Sequence, residues 1–225
     1  MWEAGRDRPT LRQKIAWEWG ESTGGRFTGE FAPRKNTAQP VRLAGHLYVD
    51  LIWQSTNHDE VILVEHDPAW AQQFEQIAAC LRKSLGPLAL RIEHYGSTAI
   101  PGIPAKPLID VLVEIPSFDE ARSRLIPLFN RPEWEYWWYK EHMMFIRRTG
   151  IGGPRTHHLH IAPKDHPLWE GLIFRDYLRD HPDDAAQYAA LKQQLAADFS
   201  SDRERYTQAK TDFVQQILAK AARTP

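Results

Sequence analysis

Residues 108–115 read LIDVLVEI, an apolar run of strand length with one carboxylate, Asp110, in its middle. A Gly96-Ser97-Thr98 turn and a loop carrying Pro101, Pro104 and Pro107 precede it. Side chains alternate along a strand, so Asp110 shares a face with Leu108, Leu112 and Glu114, while Ile109, Val111 and Val113 point the other way. A run built to be buried pays several kcal/mol for an unpaired carboxylate, so Asp110 requires a metal, a cation or hydrogen-bond donors. A structural salt bridge meets that need as well as a binding site does. The turn shifts the balance, because Gly96 lets backbone N–H groups approach an anion closely. A phosphate-holding turn after one strand, with an acid in the next, is an arrangement used in metal-assisted phosphoryl transfer.

The rest of the chain predicts an α+β domain. VILVE (61–65) reads as a short buried strand, and Asp67 as the N-cap of a helix with Pro68 at its first position. Trp70, Phe74, Ile77, Ala78, Leu81 and Leu85 recur at helical spacing until Gly86-Pro87, with Cys80 beside the stripe as inert packing. Strands are expected at 88–94, 107–115, 133–139, 143–149 and 157–162, with a hairpin turning near Lys140-Glu141. Ser117 and Glu120 form a capping box ahead of a helix to about 129, which Pro127 should kink or shorten. After Pro163 the pattern is helical: 167–180, 183–198, and a third helix capped by Ser201 and Glu204. The fold expected is a mixed β-sheet with flanking helices and a C-terminal helical tail.

Residues 1–58 differ. They are polar, dotted with Gly and Pro, and hold no sustained period of 2 or 3.6, so this segment is expected to be poorly ordered. The stretch 43–53 forms either a short strand or nothing stable. The domain is then 59–225.

Charge and composition narrow the functions. With 28 basic and 29 acidic residues the net charge is −1, so no global field draws the chain to nucleic acid or acidic lipid. The one cysteine, Cys80, suits a reducing compartment. No apolar run approaches the roughly 18–20 residues of a membrane span, and the first residues lack the apolar core of a signal peptide. The expectation is a cytoplasmic protein with no membrane contact and no general nucleic-acid binding.

VEHDPAW, EHYGSTAIPGIPAKPLIDVLVEI, HHLHIA, FRDYLRDHP, YAALKQQLA and DRERYTQAKTDFV occur in this order between residues 64 and 214. Their order and spacing resemble the GrpB family, a branch of the nucleotidyltransferase superfamily, over residues 61 to about 222. The resemblance implies a nucleotidyltransferase-like fold. It also implies a link to coenzyme A biosynthesis, since family members occur fused behind dephospho-CoA kinase. The superfamily pattern is Gly-Ser, about a dozen residues, an acid, one residue, and a second acid. Gly96, Ser97 and Asp110 match, whereas Leu112 stands where the second acid belongs, an apolar substitution that the GrpB-like sequences share. Glu114 cannot substitute: at about 3.3 Å per residue it starts about 13 Å from Asp110, and ligands of one Mg²⁺ lie about 2 Å from the ion.

His158 and His160 lie two apart on a predicted strand and share a face. Near Asp110 they would complete a set of two imidazoles and a carboxylate, which suits Zn²⁺, Mn²⁺ or Fe²⁺ better than Mg²⁺. Alternatively they hydrogen-bond neighbours or donate to substrate phosphates. His94 and His142 read as structural or supporting. Lys106 stands at the mouth of the Asp110 strand, and Arg175, Lys192 and Lys210 fall one in each family-like helical motif. Each is either a phosphate contact or a solvated outer-face charge; Tyr206, Phe213 and Val214 turn Lys210 toward the sheet. Trp134, Trp137 and Trp138 read as packing rather than a base-stacking wall.

Two functions follow. One is a nucleotidyltransferase-like enzyme with a divalent metal (Mg²⁺ or Mn²⁺, with Zn²⁺ an option) acting on a nucleotide or other phosphorylated small molecule. In it Asp110 and Ser97 are catalytic, Gly96, Ser97, Thr98, Lys106, Arg175, Lys192 and Lys210 hold phosphates, and Asp110, His158 and His160 hold the metal. The other is a catalytically silent nucleotide- or phosphate-binding regulatory module, which Leu112 favours.

Overall fold

A computed structural model describes residues 60–139 and 142–223. The expectations for residues 1–58 and for the turn at 140–141 lie outside the described residues.

Helix α1 (Ala69–Leu85) begins where Asp67 Oδ1 accepts a hydrogen bond from the Ala69 N–H at 2.9 Å. Its stripe of Trp70, Phe74, Ile77, Ala78, Leu81 and Leu85 is buried throughout, because at 3.6 residues per turn these positions form one face. Cys80 is exposed rather than packed: one position before Leu81 lies about 100° around the helix, outside the stripe. The buried strand expected at 61–65 is corrected as well. That segment makes a single antiparallel bridge, Val64 to Ala105, and leaves Ile62 and Val64 exposed. Its β-branched residues favour an extended chain, but among the described residues no sheet edge receives them.

Strands β1 (Arg91–Tyr95), β2 (Ile109–Glu114), β3 (Trp134–Trp138), β4 (Met143–Arg148) and β5 (Arg155–Ala162) form one sheet in the order β1-β2-β5-β4-β3. The β2–β5 pair is parallel and the others antiparallel. Helix α2 (Phe118–Phe129) starts at Ser117, whose hydroxyl accepts from the Glu120 N–H at 3.4 Å, and it ends two residues beyond Pro127. α1 and α2 cover one face of the sheet, burying Val111, Val113, Leu125, Phe145 and Leu159 in the main core. Trp134 packs on Phe129, with ring centroids 4.2 Å apart.

The tail comprises α3 (Glu170–Asp180), α4 (Pro182–Asp198), α5 (Arg203–Gln208) and α6 (Thr211–Ala221). The third expected helix is thus split at Ala209-Lys210, and its cap is Asp202 rather than Ser201: Asp202 Oδ1 accepts from the Arg205 N–H at 3.0 Å. The longer carboxylate arm one residue later reaches the free N–H groups of the first turn. A second apolar cluster joins Phe174, Leu178, Tyr188, Val214 and Ile217 to the loop residues Ile100 and Ile103. Leu112 joins Tyr95, Ala162, Leu168 and Leu172 on the sheet face that α1 and α2 leave open. Asp110 lies on that face, beneath the tail. Among the described residues no helix is long and apolar enough to cross a membrane.

Candidate functional site

Gly96 ends β1 at φ 74° and ψ −171°, a conformation nearly restricted to glycine. A Cβ there would stand 2.4 Å from Asp110 Oδ2. The glycine therefore serves more than anion approach: it lets the Asp110 carboxylate lie against the turn. Gly96→Ala is expected to cost about 1–3 kcal/mol in backbone strain alone and to displace the carboxylate. Urea denaturation measures the first effect; a variant as stable as the parent would show that the turn relaxes freely.

Strand pairing then supplies the neighbours. In the parallel β2–β5 ladder Asp110 faces His158, and Leu112 faces His160. His158 Nδ1 lies 3.1 Å from Asp110 Oδ1, and one ligand-capable atom from each of Asp110, His158 and His160 falls within 4.8 Å of the others. His158 Nε2 and His160 Nδ1 are buried with no hydrogen-bond partner among the described residues. Burial is the main reason both imidazoles are hard to protonate: His158 is held well below the usual range and His160 falls to about 4. Burial also pushes the Asp110 carboxyl up, against the pull of His160, Lys106 and Arg203. Two neutral imidazoles and a carboxylate are what a borderline divalent cation requires, so the residues present fit a metal.

Above this set the tail contributes cations. Lys192 is almost fully buried, donates to the Pro104 carbonyl, and sits 4.8 Å from the Tyr188 ring centroid. Burial lowers its pKa to about 7. Lys210 and Lys106 share one ring, 4.1 and 5.2 Å from the Tyr206 centroid. Burial, then Lys106 and Lys192, hold Lys210 well below the ordinary lysine range. Tyr188 hydrogen-bonds Ser97, and burial raises its hydroxyl to about 12.

The two remaining positions are occupied by the fold itself. Thr98 is buried and donates to the Leu108 carbonyl at 3.0 Å, with His94 Nε2 at 3.1 Å from the same hydroxyl. Arg175 is bound by Glu93, Asp176 and the His94 carbonyl. His94 itself stacks on Phe74 at 4.8 Å, a structural position.

Gly96, Ser97, Thr98, Lys106, Asp110, His158, His160, Arg175, Lys192 and Lys210 all line one cavity of about 370 Å³. Arg155, Arg203, Glu170, Tyr188 and Tyr206 line it too, and sequence reasoning missed them as site residues. Arg155 begins β5 three residues before His158, and Arg203 opens α5; spacing from the histidines was the one available signal for the former. His142 stacks on Tyr139 at 4.2 Å and also reaches the cavity. Trp134 and Trp137 do not: the Trp137 indole N–H donates to Glu135 at 3.2 Å on the outer hairpin.

A five-stranded mixed sheet with this arrangement of helices is a nucleotidyltransferase-like α+β fold. The chain belongs to the GrpB family, described as GrpB protein, which matches residues 60–220. A UPF0157 protein of Pseudomonas aeruginosa is 37% identical over 190 residues, covering 83% of this chain and 76% of that one. The crystal structure of GrpB from Enterococcus faecalis superposes with a TM-score of 0.63 at 35% identity, covering 71% of this chain and 96% of that chain. A dephospho-CoA kinase of Mycobacterium leprae is 27% identical over 191 residues, covering 71% of this chain and 46% of that protein.

Proposed function

We propose that the cavity binds a nucleotide, or another phosphorylated small molecule, together with a divalent metal, and that the chain is a nucleotidyltransferase-like protein acting on it. The observation that supports this best is the meeting of opposite demands in one cavity. Lys106, Arg155, Lys192, Arg203 and Lys210 face a space whose carboxylates are Asp110 and Glu170. Lys192 and Lys210 are buried beside two tyrosine rings with Lys106, Arg155 and Arg203 half-buried in the same lining, a set of cationic side chains that suits an anion carrying several charges. A phosphate chain supplies it. Lys192 and Lys210 would hold phosphate oxygens, the Gly96-Ser97 turn would orient the group, and Asp110 with the two histidines would hold the metal. When bound, the metal would polarise a phosphoryl oxygen.

The similarity to a dephospho-CoA kinase supports a nucleotide ligand and a functional link with coenzyme A metabolism. A cytoplasmic location suits both that link and a free, exposed thiol. A catalytically silent phosphate-binding module is the second reading, favoured by Leu112, which is fully buried in an apolar cluster where a second carboxylate would stand.

Melting curves of the whole chain with nucleoside triphosphates and Mn²⁺ test the binding common to both readings. A ligand at 100 times its Kd adds about 2.7 kcal/mol, which raises the midpoint by several degrees. Affinity should fall as pH rises from 7 toward 9, because Lys192, with its pKa near 7, then enters the complex uncharged and must take up a proton. Lys192→Met should flatten that slope. A midpoint unmoved by any nucleotide or by pyrophosphate would overturn the proposal, and product analysis separates enzyme from silent module.

A further inference from the structure

We infer that Asp110, His158 and His160 form a single transition-metal centre, taking Zn²⁺, Mn²⁺ or Fe²⁺ in preference to Mg²⁺ and binding it without nucleotide. This deepens the reading above by naming the metal that the phosphate site works with, and it rests on that reading only for the metal's use.

Three observations carry it. The first is register: the level of β2 where a second acid is missing, Leu112, is paired across the parallel ladder with His160, just as Asp110 is paired with His158. The adjacent strand thus presents two imidazoles beside the carboxylate, and the donor set changes from two hard oxygens to two nitrogens and one carboxylate. Imidazole nitrogen suits Zn²⁺, Mn²⁺ and Fe²⁺, whereas Mg²⁺ is held through carboxylates, water and substrate phosphate. The second is spacing. Ligands about 2.0–2.1 Å from one ion lie about 2.9–3.4 Å apart when adjacent in octahedral or tetrahedral shells. The Asp110–His158 pair already stands at 3.1 Å, and the whole set lies within 4.8 Å. The third is a buried imidazole nitrogen, His160 Nδ1, that no described protein group satisfies. Buried polar atoms of this kind call for a partner.

Leu112 also limits the number of ions. It is fully buried against Tyr95, Ala162, Leu168 and Leu172, so this position of β2 offers no oxygen for a second cation. Among the described residues Asp110, His158 and His160 are the group able to hold an ion, which makes one metal per chain the expected count.

The test uses the full chain, stripped with a chelator and equilibrated with Zn²⁺, Mn²⁺ or Mg²⁺ alone, with bound metal counted by elemental analysis. The expected result is about one Zn²⁺ per chain, undisturbed by millimolar Mg²⁺, with His158→Gln and His160→Gln each weakening binding at least tenfold while circular dichroism shows them folded. Cobalt(II) absorption of the wild-type chain gives a second readout should a variant fail to fold: a ligand-field spectrum bleached by Zn²⁺ but not by Mg²⁺ supports the centre, and a spectrum identical to aqueous Co²⁺ overturns it. Two ions per chain, a preference for Mg²⁺, or indifference to both histidine changes would also overturn it. Nucleotide binding with Mg²⁺ that survives both changes leaves the phosphate reading standing alone. Zn²⁺ bound as expected by a chain that no nucleotide stabilises does the reverse.

Discussion

Arg175→Met should lower the melting temperature by about 5–10 °C and leave ligand binding near its original strength, because this arginine is a strut of the fold. Its guanidinium is almost fully buried and donates to Glu93 Oε2 at 2.8 Å, the His94 carbonyl at 2.7 Å, and both Asp176 carboxylate oxygens at 2.7 and 3.0 Å. These bonds tie α3 to β1. Methionine keeps most of the volume and removes every donor, which takes Arg175's bond from the His94 carbonyl and leaves Glu93 with Arg91 alone. Breaking a fully buried pair from one side costs about 3–5 kcal/mol. Glu93 keeps 26% of its side chain in water and Asp176 53%, so solvent recovers part of the loss. About 2–3 kcal/mol remains, and each kcal/mol moves the midpoint by about 2–4 °C in a chain of this size. The penalty also depends on pH. Burial alone would raise the Glu93 carboxyl, but hydrogen bonds from Arg175 and Arg91 outweigh it and hold the group below its usual value. A depressed carboxyl stabilises the fold above its unfolded pKa and loses that contribution as pH falls through the folded one. The gap between wild type and Arg175→Met should therefore narrow as pH falls below the ordinary glutamate value of about 4.3. A variant that melts like wild type at neutral pH and fails to bind nucleotide would return Arg175 to the phosphate-binding role that its place in FRDYLRDHP suggests.

How much of this was legible in the sequence differs between the fold and the site. The helix periods and strand alternation were readable: every residue of the α1 stripe is buried, Ser117 caps α2, and β2 divides its faces with Asp110 opposite Val111 and Val113. Short-range signals failed where the outcome depends on a distant partner. VILVE has strand composition but, among the described residues, no strand beside it, and Cys80 is decided by a turn of about 100°. The site was half legible. Alternation put His158 and His160 on one face and Asp110 on another strand's face. That β5 pairs parallel with β2, in the register that sets Asp110 against His158, is a crossover over α2 and the β3–β4 hairpin that no local pattern encodes. Arg203 and Tyr206 were unreadable for a related reason: the split between α5 and α6 falls at Ala209-Lys210, with neither glycine nor proline to announce it.

Asp110→Asn should leave the fold as stable as wild type, or more so, and abolish metal-dependent ligand binding. The carboxylate sits in a polar cavity with 19% of its side chain exposed, beside an imidazole that burial keeps neutral. The Asp110–His158 contact is therefore a hydrogen bond to a neutral ring rather than an ion pair, and an asparagine amide can replace it for about 1 kcal/mol or less. Burial already pushes the Asp110 carboxyl up, which means the folded chain pays for keeping it charged; removing the charge relieves that cost. The amide keeps the fit against Gly96, where the carboxylate fills the space a Cβ would need. What the amide cannot do is neutralise a divalent cation held by two imidazoles, so binding should weaken by at least a hundredfold, about 2.7 kcal/mol. The measurement is a pair of melting curves on one variant, with and without Mn²⁺ and nucleotide. An unchanged baseline with the ligand shift gone is the expected outcome. A baseline lowered by the equivalent of about 3–5 kcal/mol would instead make Asp110 one half of a buried structural ion pair, its removal stranding a cation such as Lys106 or Arg203, and the acid in the middle of LIDVLVEI would be explained by stability alone.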